Sequence, residues 1–164
     1  MKTLFITRHA KSDQSFFGKD FDRPLNDRGN RDAPDMAKRL VDRKVKPGLF
    51  VSSPSVRTRQ TAAYFCKEFG IKKEKVLYID KLYHASAAII YETIAELPDT
   101  TESIVLFAHN PGITYFVNSL TDEVTVDNMP TAAIFAVQAE CANWEQFADA
   151  PKKFLFVDYP KMDK

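Results

Sequence analysis

Two arginines and two histidines are the residues of this sequence best suited to bind and transfer a phosphoryl group. Arg8 and His9 are adjacent near the amino terminus, Arg57 lies in the segment SSPSVRTRQTA, and His109 begins the segment HNPG. Arginine binds the oxygens of phosphate through paired hydrogen bonds, and a neutral histidine can attack phosphorus and hold it as a phosphoramidate. The four residues predict an anion site with a histidine nucleophile if the fold brings them together.

Other nucleophile motifs do not fit the sequence. It has five glycines and contains neither GxGxxG, nor GxxxxGK, nor GxSxG. No arginine follows Cys66 or Cys141, whereas a cysteine phosphatase loop needs one a few residues after its nucleophile. Asp20 and Asp22 form a DxD string, but the residues before it do not read as an apolar strand. Histidine therefore remains as the strong nucleophile.

A zinc site is the alternative use of the histidines. His9, His84 and His109 could supply three imidazole ligands, which zinc commonly takes. Arg8 and Arg57 would then lie close to a cation and repel it. We therefore expect no metal and no other cofactor.

The apolar pattern predicts an α/β fold, a three-layer α/β/α sandwich with a mainly parallel central sheet. Candidate strands cover residues 3–7, 49–52, 76–79, 103–108, 133–137 and 154–157. Four amphipathic helices alternate with them, with apolar stripes that include Met36, Phe65, Ile90 and Phe116. No linker divides the chain, so we expect a single domain over residues 1–164.

The carboxyl ends of the strands are where open α/β sheets bind ligands. Arg8 and His9 end the first strand, and His109 follows the fourth. After the second strand we expect Ser53 to cap a helix and Pro54 to be its first residue, which puts Arg57 about one turn in. Three strand ends thus each supply a residue suited to phosphate.

Three further local expectations follow from the helix patterns. Asn110 is predicted to cap the fourth helix, with Pro111 as its first residue. Pro34 should lie near the start of the first helix, because an interior proline removes a backbone hydrogen bond. The charged segment 18–28 is predicted to be a solvated loop.

The charge balance excludes some partners. The chain has 164 residues, with 23 basic and 22 acidic side chains, so we expect neither nucleic acid nor membrane binding. All eight arginines lie in residues 1–59, while residues 60–164 contain nine lysines and fifteen acidic residues. No segment is suited to be a signal peptide or membrane span. We expect a cytoplasmic monomer.

Three segments together resemble the histidine phosphatase superfamily, also called the phosphoglycerate mutase-like family: TRHAKSD, SSPSVRTRQTA and FAHNPG. The short length and the segments DFDRPLNDRG, LYHAS and MPTAAI are similar to its SixA-like phosphohistidine phosphatase branch. The resemblance implies that His9 is the phosphorylated nucleophile. It also implies that Arg8 and Arg57 bind the phosphate and that His109 contacts the transferring phosphoryl group.

The proton donor stays open at this point. Larger mutases of that family carry a glutamate where this chain has Leu82-Tyr83-His84. Phosphohistidine releases imidazole, a better leaving group than an alkoxide, so it depends less on a general acid. Asp20, Asp22 or His84 could still donate a proton.

The expected function is a phosphatase that acts on protein phosphohistidine through a phosphohistidine intermediate. One alternative is a phosphatase for small sugar or nucleotide phosphates. The other is a non-catalytic module that binds phosphorylated partners.

Overall fold

One six-stranded sheet organises the structure, a computed structural model that describes residues 1–162. In chain order its strands are β1 (Lys2–Arg8), β2 (Leu49–Ser52), β3 (Leu77–Tyr78), β4 (Ser103–Ala108), β5 (Ile134–Ala139) and β6 (Lys152–Asp158). Their spatial order is β3-β2-β4-β1-β5-β6. The first four positions run parallel, and β5 and β6 are antiparallel to their neighbours.

Helices cover both faces of this sheet, as the three-layer prediction requires. They are α1 (Asp27–Asp42), α2 (Val56–Phe69), α3 (Ala87–Ala95) and α4 (Gly112–Leu120). Alternate residues of β1 point to opposite faces, so Phe5 packs in one buried cluster with α1 and α2. Leu4 and Ile6 pack in the other cluster with α3 and α4. Among residues 1–162, no helix is both long and apolar enough to cross a membrane.

Pro34 does not lie near the start of its helix, contrary to the sequence prediction. The helix α1 begins seven residues earlier, where the Asn26 side chain accepts a hydrogen bond from the Gly29 N–H. Pro34 therefore occupies the helix interior and lacks the usual backbone N–H donor. Burial of Ala33, Met36 and other stripe residues against the sheet outweighs that loss.

The register of the parallel strands aligns their carboxyl ends. Arg8 pairs with Ala108 across β1 and β4, and Ser52 pairs with Phe107 across β2 and β4. The chain then leaves each strand through His9, Ser53 and His109. Three polar side chains are thereby brought together at the carboxyl ends of the central strands.

Candidate active site

A cleft of about 200 Å³ opens at the aligned strand ends. It is lined by Arg8, His9, Lys11, Ser12, Gln14, Arg23, Arg57, His84, His109, Asn110 and Thr131. Four of these side chains are cationic and none is a carboxylate. The predicted residues Arg8, His9, Arg57 and His109 all lie in its wall, so the cleft is suited to an anion.

His9 is held in one tautomer. Its Nδ1 lies 2.7 Å from the carbonyl oxygen of Ala10, which can only accept, so Nδ1 carries the hydrogen. The Nε2 atom then keeps its lone pair, and Arg57 Nε donates to it at 3.3 Å. Burial, together with the charges of Arg57, Arg8 and Arg23, lowers the pKa of His9 to about 3. The free side chain is therefore a neutral nucleophile at physiological pH.

Arg57 connects the other polar groups of the cleft. It is the second residue of α2 and only 2% exposed. Besides its bond to His9, its guanidinium donates from Nη2 to His109 Nδ1 at 3.3 Å. It also donates to the Asp20 carbonyl at 2.8 Å and to Asp20 Oδ2 at 3.0 Å. One planar cation thus fixes both histidines relative to each other.

His109 is buried and oriented from both ring nitrogens. Because Nδ1 accepts from Arg57, Nε2 carries the hydrogen and donates to Ser53 Oγ at 2.7 Å. Burial, with further contributions from His9 and Arg57, lowers the pKa of His109 to about 2. His109 is therefore neutral at physiological pH, and a bound anion would favour its protonated form.

Arg8 is fixed in the wall of the cleft by a backbone carbonyl. Its Nη1 donates to the Met129 carbonyl at 2.8 Å, which fixes the guanidinium beside the cleft. Its buried Nε has no hydrogen-bond partner within the described residues. Burial and the nearby Arg57 lower the pKa of Arg8. An anion in the cleft would offset the repulsion between the two guanidinium groups.

Asp20 is bound by donors from three parts of the chain. Its Oδ2 accepts from Tyr83 at 2.6 Å and from His84 Nε2 at 2.9 Å, in addition to Arg57, and Arg23 bonds to Oδ1. Partial burial alone would raise its pKa, but these donors outweigh burial and hold the pKa well below the usual range. Asp20 is therefore ionised in the free protein and has no proton to donate.

The segment 18–28 is largely exposed, as its charge predicts, but it is an ordered part of the site and not a plain connection. A 3₁₀ turn at Asp20–Asp22 lies beside Arg57, and α1 has already begun at Asp27. The Asp20 carboxylate finds partners 37 to 64 residues away in sequence, which composition cannot indicate.

The predicted helix starts are also corrected. Ser55, not Ser53, precedes the first residue of α2, and Pro54 lies before the helix. Pro111 occupies the capping position of α4, and Gly112 is its first residue. Ser53 is instead needed as the acceptor for His109, and Asn110 Oδ1 accepts from Thr114.

Two further residues of the SSPSVRTRQTA segment support the site. They were not identified from the sequence, because neither side chain is reactive by itself. Gln60 Oε1 accepts from the Leu25 N–H at 2.8 Å and ties the loop before α1 to α2. Thr61 Oγ1 accepts from the Ala10 N–H at 3.0 Å, next to the His9 ring. The signal was present in the spacing SxxxRxxQT, which includes both.

The three histidines lie close together without forming a metal site. The ring centre of His109 is 5.4 Å from that of His9 and 5.1 Å from that of His84. Within the part of the chain that the structure describes, no group of three such side chains is arranged to hold a metal ion.

Comparison with known proteins gives a family and a set of similar structures. The family model of the histidine phosphatase superfamily (branch 1) matches residues 4–83. A protein described as the phosphohistidine phosphatase SixA of Agrobacterium tumefaciens is 26% identical, with a TM-score of 0.82 over 97% of this chain and 98% of that one. No curated protein matches the chain.

Two other structures share the fold at lower identity. The protein histidine phosphatase SixA complexed with tungstate is 21% identical, with a TM-score of 0.81 over 96% of this chain and 97% of that one. A SixA protein of Nakamurella multipartitia is 23% identical, with a TM-score of 0.82 over 98% and 97% of the two chains.

Proposed function

We propose that this chain, which the family model of the histidine phosphatase superfamily matches over residues 4–83, is a member of that superfamily and a phosphatase that hydrolyses protein phosphohistidine through a phosphorylated His9. The observation that carries the proposal is the neutral Nε2 of His9 in a cleft with four cationic side chains. A module that only binds phosphate needs the cations but has no use for a nucleophile held in this tautomer. The similarity to SixA phosphohistidine phosphatases supports the same substrate class.

In the first step His9 Nε2 attacks phosphorus, and the bond from phosphorus to the substrate imidazole breaks. The leaving nitrogen takes a proton from solvent or from a side chain of the cleft. Arg8, Arg57 and His109 would surround the three equatorial oxygens, where preorganised donors lower the barrier most. The Arg57 Nε that now donates to Nε2 becomes available to the phosphoryl group when the lone pair is used.

In the second step water attacks the phosphoryl group, and the bond between phosphorus and Nε2 breaks. The oxygen of the water stays on phosphorus, and its protons go to the released phosphate and to solvent. His9 returns to its neutral tautomer because the Ala10 carbonyl holds Nδ1–H throughout. The enzyme is then ready for another substrate.

The ionised state of Asp20 supports a phosphoramidate substrate. A carboxyl group held deprotonated by Tyr83, His84 and Arg57 is a poor general acid. Alkyl phosphate esters depend on such an acid, whereas imidazole is easily protonated as it leaves.

The proposal includes a cytoplasmic enzyme that works without a metal ion. Cys66 and Cys141 are free thiols, as is usual in reducing compartments. The four cationic side chains of the cleft would supply the positive charge that a metal supplies in other phosphatases.

The test is to trap the intermediate on a labelled phosphohistidine peptide. We expect a covalent adduct that survives base and is lost in acid, located on His9. His9→Ala should form no adduct and release no phosphate, while the control His84→Gln, a change in the same cleft, should still form it. Turnover by His9→Ala, or an acid-stable adduct, would overturn the mechanism.

A further inference from the structure

Three phenylalanines are exposed on one loop of the protein. The side chain of Phe17 is 99% exposed, and Phe16 and Phe21 are each 36% exposed. Apolar side chains of this size are normally covered in a folded protein. We refer to these three residues as the aromatic ridge.

The aromatic ridge lies at the mouth of the cleft. Gln14 and Arg23, on either side of it in sequence, both line the cleft wall. Asp20, within the same loop, bonds to Arg57 at the centre of the site. The ridge is therefore next to the place where a phosphoryl group would enter.

The loop holds the ridge in place before any partner arrives. The ring of Phe21 packs edge-on against Tyr83, with ring centres 5.1 Å apart. The ring of Phe16 lies over Gly18, where a Cβ would come within 2.9 Å of it. Among residues 1–162, Phe17 has no comparable neighbour, and its side chain points into solvent. The ordered loop beneath it reduces the entropy lost on binding.

The size of the cleft places the carrier of the phosphoryl group outside it. A volume of about 200 Å³ is below that of common small-molecule pockets, which begin at roughly 300 Å³. It admits the phosphoryl group and the side chain that bears it, and the rest of the substrate must rest on the rim. A protein is large enough to cover the aromatic ridge at the same time, whereas a free phosphoamino acid is not.

We propose that the aromatic ridge is a docking surface for the phosphorylated protein substrate, with Phe17 as its main contact. The inference rests on the proposed function. It adds a reason why the enzyme would prefer a phosphorylated protein to a small phosphoramidate. The partner is a folded protein whose phosphohistidine stands beside an apolar surface patch. Its phosphoryl group binds to the cationic side chains of the cleft while the apolar patch covers Phe17.

The experiment compares Phe17→Ala with wild type on two substrates. One is a phosphocarrier protein phosphorylated on histidine, and the other is a phosphohistidine tetrapeptide. We expect kcat/KM for the protein to fall about tenfold, mainly through KM, because one buried aromatic contact is lost. The value for the tetrapeptide should stay within about twofold of wild type.

The control Leu155→Ala removes another exposed apolar side chain, on β6 at the edge of the sheet, and should change neither value.

The outcomes separate the two proposals. If Phe17→Ala behaves like Leu155→Ala on the protein substrate, the docking surface is wrong and the phosphatase proposal stands. If wild type releases phosphate from neither substrate, both are wrong. If Phe17→Ala loses binding to anionic lipid vesicles but keeps full activity on the protein, the ridge is a membrane contact and the docking proposal is overturned.

Discussion

Arg57 is the residue on which the geometry of the site depends. Its Nε, Nη1 and Nη2 atoms donate to two histidines and to both the backbone and the carboxylate of Asp20. A lysine in its place offers one ammonium on a flexible chain and cannot reach these acceptors in fixed directions. The planar guanidinium group, and not its charge alone, fixes the position of His9 relative to His109.

We predict that Arg57→Lys lowers kcat by about a hundredfold, although the positive charge is retained. The matched control is Arg59→Lys, two residues away, where the guanidinium donates to the Pro54 carbonyl and stacks on Tyr78 outside the cleft. Steady-state kinetics on the phosphohistidine tetrapeptide measure both. Equal losses in the two variants would show that Arg57 contributes charge or stability and not orientation.

At the level of elements, α4 must approach the loop before α3 closely to position His109. Gly112 is the first residue of α4, and a Cβ there would come within 1.8 Å of the Ala85 carbonyl oxygen. The contact is with backbone, so no side-chain rotation can relieve it. Because His109 is only three residues upstream, any shift of the helix moves the imidazole as well.

We predict that Gly112→Ala destabilises the fold by roughly 3 kcal/mol and also lowers kcat. Gly70→Ala is the control: Gly70 has a φ of 69°, but none of the described residues has an atom within 4 Å of its added Cβ. It should cost about 1 kcal/mol through backbone strain alone and leave kcat unchanged. Urea denaturation and steady-state kinetics measure the two effects. Full activity in Gly112→Ala would mean that α4 does not position His109.

Periodicity and strand ends predicted the elements and the meeting of His9, Arg57 and His109, because parallel strands deliver their next residues to one edge. The role of Ser53 was missed because serine before proline also fits a helix cap, and only the register of β2 and β4 brings it to His109. Asp20 was left undecided because its partners Tyr83 and His84 are more than sixty residues away. Contacts of that kind depend on the completed fold.

For the molecule as a whole, two buried neutral histidines link stability to pH. The pKa values of His9 and His109 are lowered to about 3 and about 2, whereas an unfolded histidine titrates near 6.5. Unfolding therefore takes up about one proton at pH 6.5 and approaches two protons as the pH falls toward 5. The free energy of unfolding should decrease as the pH falls from 6.5 toward 3.

We predict a loss of about 2 kcal/mol in the free energy of unfolding between pH 7 and pH 5.5. Urea denaturation followed by the fluorescence of Trp144, the single and fully buried tryptophan, measures it. In His109→Asn the loss should shrink to about half, because one histidine no longer titrates. A free energy that is constant over this range would contradict the buried neutral state.

The strand order β3-β2-β4-β1-β5-β6 has a consequence for the growing chain on the ribosome. The strand β1, which leads to His9, and the strand β2, which leads to Arg57, do not pair with each other in the sheet of residues 1–162, because β4 lies between them. Residues 103–108 are synthesised long after both. Until then the nascent chain contains His9 and Arg57 but lacks the strand that brings them together. Insertion of β4 completes the sheet and assembles the site in the same event, and a chain that stops short of it has no active centre.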